Sequence, residues 1–156
     1  MIAMTDRSNC LAHSLLGGLA GAVALTLVHE TARRLIPGAP RMDTLGRRAI
    51  ARGLESLGVD PPGRDELQGM ALVGDIVSNG LTYALVGAGS PESAHLRGTL
   101  IGSAAGLGAI VLPPRLGIGP EPGRLATETK VMTFGWYLLG GVVAAGVFRR
   151  LSRAGS

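Results

Sequence analysis

The run GMALVGDIVSNGLTYALVGA, residues 69–88, decides the fold class. Its length matches the ~20 mostly apolar residues that a helix needs to cross a bilayer. It holds a single formal charge, Asp75. Asp75, Ser78, Asn79, Thr82 and Tyr83 recur at the i, i+3, i+4, i+7, i+8 spacing of one helix face. Val73, Ile76, Val77, Leu81, Ala84 and Leu85 make up the opposite face. Lipid cannot satisfy a polar stripe, so the stripe is expected to face other helices or a water-filled cavity.

Three more apolar runs flank this one, at residues 11–28, 98–112 and 131–148. Pro37 and Pro40 stop the first, while Gly87, Gly89 and Pro91 stop the second. The third is short for a span and needs residues 94–96 or Pro113 to reach across. The spans expected are therefore 11–36, 69–88, 95–113 and 130–148. The stretch PPRLGIGPEPG, residues 113–123, is too rich in proline and glycine for a regular element. The long connection before the second span contains MDTLGRRAIARGLESLGV, with Met42, Leu45, Ala49, Leu54 and Leu57 near helical spacing. It predicts an amphipathic helix over 42–58, with Asp43 as N-cap and Gly58 as C-cap. That helix lies either in the headgroup layer or against the end of the bundle. The expected fold is all-α: a polytopic membrane protein forming one compact bundle of four transmembrane helices plus one amphipathic interfacial helix.

Composition agrees. Apolar residues are 46% of the 156, mean hydropathy is +0.33, and aromatics are only 3%, too few for a well-filled soluble core. Glycine, at 25 residues, is about twice its usual ~7% share, which suits closely packed membrane helices. The net charge of +4 comes almost wholly from arginine, Lys130 being the only lysine. These charges lie between apolar runs, so the partner expected is a bilayer with anionic headgroups, met by Arg33, Arg34, Arg47, Arg48 and Arg52, and no nucleic acid. Cys10 alone excludes an intrachain disulfide and a multi-cysteine zinc site. Arg7 and the triplet Ala22-Val23-Ala24 suggest a cleavable signal peptide, but the apolar run continues beyond them.

Arg33, Arg34, Arg41, Arg47, Arg48, Arg52, Arg64, Arg115, Arg124 and Lys130 share one side of a four-span topology. Arg7, Arg97, Arg149, Arg150 and Arg153 share the other. The positive-inside rule places the first set in the cytoplasm, although the Arg149-Arg150 pair opposes it. The whole has the character of a small bacterial inner-membrane protein.

Glycines repeat at packing intervals. Gly17 and Gly21 form one GxxxG pair, Gly98, Gly102 and Gly106 form two in series, and Gly140 and Gly141 pair with Ala144 and Ala145. They serve packing within the bundle, or self-association as a homo-oligomer or with a partner subunit.

Polar residues gather near one end of the bundle. Thr26, His29, Glu30, Arg33 and Arg34 form a stripe on the first span, and Lys130, Thr133 and Tyr137 one on the fourth. With helix ends at Ile36 and Gly69, Glu30 and Asp75 each lie about 9 Å inside. The expectation is a shared cluster of His29, Glu30, Asp75 and Lys130. Ser78 and Asn79 would orient Asp75, and Tyr83 and Tyr137 would extend a deeper hydrogen-bonded path. A carboxyl at such depth loses hydration and needs a cation or a proton. His29-Glu30 opens like the HExxH of zinc proteases, but Arg33 stands at the second histidine position, so no metal or cofactor is expected. Walker A and GxSxG motifs are absent. The functions left are small-solute, ion or proton handling through the polar cluster, or an accessory role through glycine-mediated packing and oligomerisation. A membrane-embedded enzyme is the weakest reading.

Overall fold

The computed structural model describes residues 2–120 and 122–154, with residues 2–8 and 122 by backbone alone. Arg7, used above for the signal-peptide and orientation readings, therefore has its side chain outside the described residues. Five α-helices follow one another: α1 (Ile2–Leu35), α2 (Met42–Ser56), α3 (Arg64–Ala84), α4 (Ala94–Arg115) and α5 (Thr127–Ala154). Short 3-10 turns lie at Leu85–Gly87, Pro91–Ser93 and Pro122–Arg124. The chain is an all-α bundle in which four helices are long and apolar enough to cross a membrane, in segments Asn9–Leu35, Arg64–Gly87, Pro91–Arg115 and Thr127–Ala154. The expected spans fall inside these segments, save that the first was carried one residue past Leu35 and the second one past Gly87.

The third span is longer than its apolar run. At 22 residues, α4 extends about 33 Å, enough for a hydrocarbon core of ~30 Å. Pro113 and Pro114 lie inside it, which corrects the reading of residues 113–123 as wholly irregular. Both prolines fall in the last turn, where their missing N–H groups remove only terminal bonds; the Leu116 N–H still reaches the Leu112 carbonyl at 3.0 Å. Gly117, at φ +66°, then closes the helix: its N–H meets Pro114 O at 3.0 Å and the Ile118 N–H meets Pro113 O at 2.9 Å. The end of α2 uses the same device, with Gly58 at φ +73° just beyond the Leu57 cap. The start of α2 differs from expectation. Arg41 is the capping residue, whereas Asp43 sits in the first turn and pairs with Arg47 at 3.2 Å. Asp43 is already inside the helix, one residue past its first, so its carboxylate does not cap the end.

Two glycine doublets explain the packing order. Successive helical residues point about 100° apart, so a Gly-Gly pair opens two faces. A methyl at Gly17 would lie 2.8 Å from Ala144 O of α5, while one at Gly18 would lie 2.7 Å from Ala84 N of α3. Likewise a methyl at Gly140 would meet the Tyr83 hydroxyl at 2.6 Å, and one at Gly141 would strike the Gly98 carbonyl of α4. Hence α1 and α5 form the inner pair, with α3 against α1 and α4 against α5.

The small core follows this seam. It comprises Ala22 and Leu25 of α1, Tyr83 and Val86, Ala94 of α4, and Tyr137, Ala144, Ala145 and Phe148 of α5. Leucines and valines turned away from it, such as Leu19, Val73, Leu81, Leu100 and Val142, are exposed, as lipid-facing residues are.

The outer helices α3 and α4 scarcely touch. The Leu85–Gly87 turn between them packs on α1, α4 and α5. Toward the opposite end they diverge, and α2 packs across that end against α3, with Gly46 over Ala71.

Candidate functional site

The space between the diverging helices is a cavity of about 470 Å³. Its polar wall includes Thr26, His29, Arg33, Asp43, Gln68 and Asp75, and Tyr137, Leu45 and Pro113 line it from α5, α2 and α4.

Helix lengths explain why these residues meet. Because α3 begins at Arg64 rather than Gly69, Asp75 lies about 16 Å from its helix start. Thr26 lies about 14 Å from the end of α1, and Tyr137 about 15 Å from the start of α5. These three share one level. Glu30 is one turn shallower, and Lys130 is shallower still.

Asp75 is half-buried and accepts two hydrogen bonds. Thr26 Oγ1 donates to its Oδ2 at 3.3 Å, and Asn79 Nδ2 donates to its Oδ1 at 2.9 Å. Among the described residues no arginine, lysine or histidine forms an ion pair with it. Neutral donors orient the carboxylate without neutralising it.

His29 stands beside it on the cavity wall, 7% exposed. Its ring meets Trp136 edge-to-face at 5.0 Å and Tyr137 at 5.8 Å. Its Nε2 is buried with no hydrogen-bond partner among the described residues. Such an orphan carries a desolvation cost of ≈ 1–3 kcal/mol that a ligand or water can relieve.

Other expected members of the cluster are placed differently. The Glu30 carboxylate is held by its own helix, through Arg33 Nε at 2.5 Å and Arg34 Nη2 at 2.6 Å. It borders the cavity, but its charge is already answered there. Lys130 is not among the cavity-lining residues. The Ser78 hydroxyl donates to the backbone carbonyl of Asp75 at 3.2 Å, so it does not orient the carboxylate. Tyr83 is fully buried and donates to the Tyr137 carbonyl at 2.9 Å, ending a hydrogen-bonded path on backbone rather than extending one.

The five arginines assigned to headgroups all have partners within the chain. Arg33 and Arg34 hold Glu30. Arg47 bonds Asp43, Thr44 and Gln68. Arg48 donates to Ile118 O at 3.2 Å, and Arg52 to Leu116 O at 2.7 Å. The last two tie α2 to the connection between α4 and α5.

Gly98, Gly102 and Gly106 lie buried against α5. A methyl at Gly102 would stand 2.8 Å from Tyr137 O, and one at Gly106 3.0 Å from Phe134 Cα. That face of α4 is thus covered within the chain. Sequence spacing missed Gly18 as a contact residue, although the Gly17-Gly18 doublet was the available signal.

The chain matches no protein-family model, no curated protein and no solved structure.

Proposed function

We propose that the protein is a small multi-pass inner-membrane protein of bacterial type that handles a small cationic solute or protons at the Asp75 cavity. One observation carries this reading. A half-buried carboxylate without an ion-pair partner and a buried His29 Nε2, unpartnered among the described residues, line the same cavity between helices long and apolar enough to cross a membrane. Intramembrane carboxylates are costly and are kept where they meet a substrate, an ion or a proton. Asp75 is the anionic anchor, Thr26 and Asn79 hold its two oxygens in place, and His29 is the second polar contact. Glu30 does not take part, since Arg33 and Arg34 occupy it.

The test uses purified protein in liposomes loaded with a pH-sensitive dye. A proton gradient is imposed, and a panel of small organic cations is then added outside. Wild-type protein should carry protons or one of the cations. Asp75→Asn should abolish that movement while circular dichroism stays unchanged. Transport at the wild-type rate by a folded Asp75→Asn protein would overturn the reading. So would a wild-type protein that moves neither protons nor any cation.

A further inference from the structure

A second cavity, of about 350 Å³, lies between α2, α4 and the N-terminus of α5. Among the described residues its charged lining is wholly basic: Arg41 precedes α2, Arg48 lies on α2, and Arg124 precedes α5. Arg41 and Arg48 stand seven residues apart, and the fold brings Arg124 to them from the connection before α5. Among the described residues, the guanidinium groups of Arg41 and Arg124 have neither a hydrogen bond nor an ion pair, and Arg48 gives one N–H to Ile118 O. The N-terminus of α5 also opens here, at Ala126 and Thr129, adding the positive end of a long helix. Toward the membrane the lining turns apolar, through Ala109, Ile110 and Pro113 of α4.

Basic side chains at the mouth, a helix N-terminus beside them and an apolar floor match a phosphate group joined to a hydrocarbon chain. We propose that this cavity binds the phosphate of an anionic phospholipid, with Arg41, Arg48 and Arg124 around the headgroup and an acyl chain along Ile110. Guanidinium groups suit this ligand because their planar forks bond phosphate oxygens in pairs. The site adjoins the Asp75 cavity, with Pro40, Met42, Leu45, Ala109 and Pro113 forming the wall between them, but it shares none of that cavity's charged residues.

Native mass spectrometry of the full chain in mild detergent tests this, with phosphatidylglycerol, phosphatidylcholine or inorganic phosphate added. Wild-type protein should retain phosphatidylglycerol in preference to phosphatidylcholine, and millimolar inorganic phosphate should not displace it. Arg41→Gln and Arg124→Gln should each lower retention roughly fivefold, the worth of one basic residue near an anionic surface. Arg150→Gln, at the far end of α5, should leave retention unchanged, as should Asp75→Asn. Equal losses from Arg150→Gln would overturn the proposal, because attraction would then follow net charge rather than this cavity. Displacement by inorganic phosphate would overturn the lipid as the source of the phosphate group. Retention unaltered in an Arg41→Gln/Arg124→Gln double variant with wild-type circular dichroism would overturn the site itself.

Discussion

Replacing Gly102 by alanine tests the close approach of α4 to α5. The added methyl would lie 2.8 Å from Tyr137 O, 2.9 Å from Leu138 Cα and 3.2 Å from Leu138 O. All three are backbone atoms, so no side chain can swing aside; α4 and α5 must separate by several tenths of an ångström. Overpacking of this kind typically costs about 1–3 kcal/mol. Alanine also brings a helix propensity gain of up to about 1 kcal/mol, which offsets part of the loss. With the full propensity gain, a net destabilisation of about 0–2 kcal/mol follows, so the contrast with a control that has the gain alone carries the test. Gly69→Ala is the matched control. It gains the same propensity on α3, but nothing stands within 4 Å of the new methyl, so it should be neutral or stabilising. The assay is unfolding by sodium dodecyl sulfate titration in mixed micelles, followed by circular dichroism. A Gly102→Ala protein as stable as Gly69→Ala would refute the close-packed seam.

Three further outcomes follow from the geometry. Glu30→Gln releases Arg33 and Arg34 from a partly exposed pair, so it should change stability by less than about 1 kcal/mol in the same titration and leave transport intact. Tyr83→Phe removes the donor to Tyr137 O from the core and should cost about 0.6 kcal/mol, and no more than about 1.7, the range for hydrogen bonds between membrane helices. Arg52→Gln removes the bond to Leu116 O, so amide hydrogen exchange should quicken in residues 116–119 while α5 keeps its protection.

The four spans and the amphipathic helix were legible because apolar run length and helical period are local properties of the chain. Helix ends were not, and the site depended on them. The mostly polar stretch RDELQ at 64–68 continues α3 by more than a turn beyond its apolar run, which moves Asp75 level with Thr26 and Tyr137 instead of Glu30. The i, i+4 spacing of Glu30 and Arg34 permits a pair on one helix. It could not weigh that pair against one across helices, since both satisfy the same carboxylate. The arginines' bonds within the chain were hidden for a related reason. Composition marks them as charges near a membrane, but only the folded loop at 116–118 offers carbonyls to Arg48 and Arg52. Arg41 and Arg124, which keep their charge unanswered among the described residues, carry no periodic signal at all.

Trp136 is the only tryptophan in the chain, and its ring lies 5.0 Å from that of His29 at the wall of the Asp75 cavity. The protein therefore carries its own optical probe. Light absorbed near 295 nm excites a single indole, free of the overlapping emitters that blur such spectra in aromatic-rich chains. Changes in the hydration or charge of His29 reach that indole directly, so the emission maximum and lifetime follow events at the cavity without a label. Titrations read this way need neither a known solute nor a transport assay, and they can be run in a native-like bilayer.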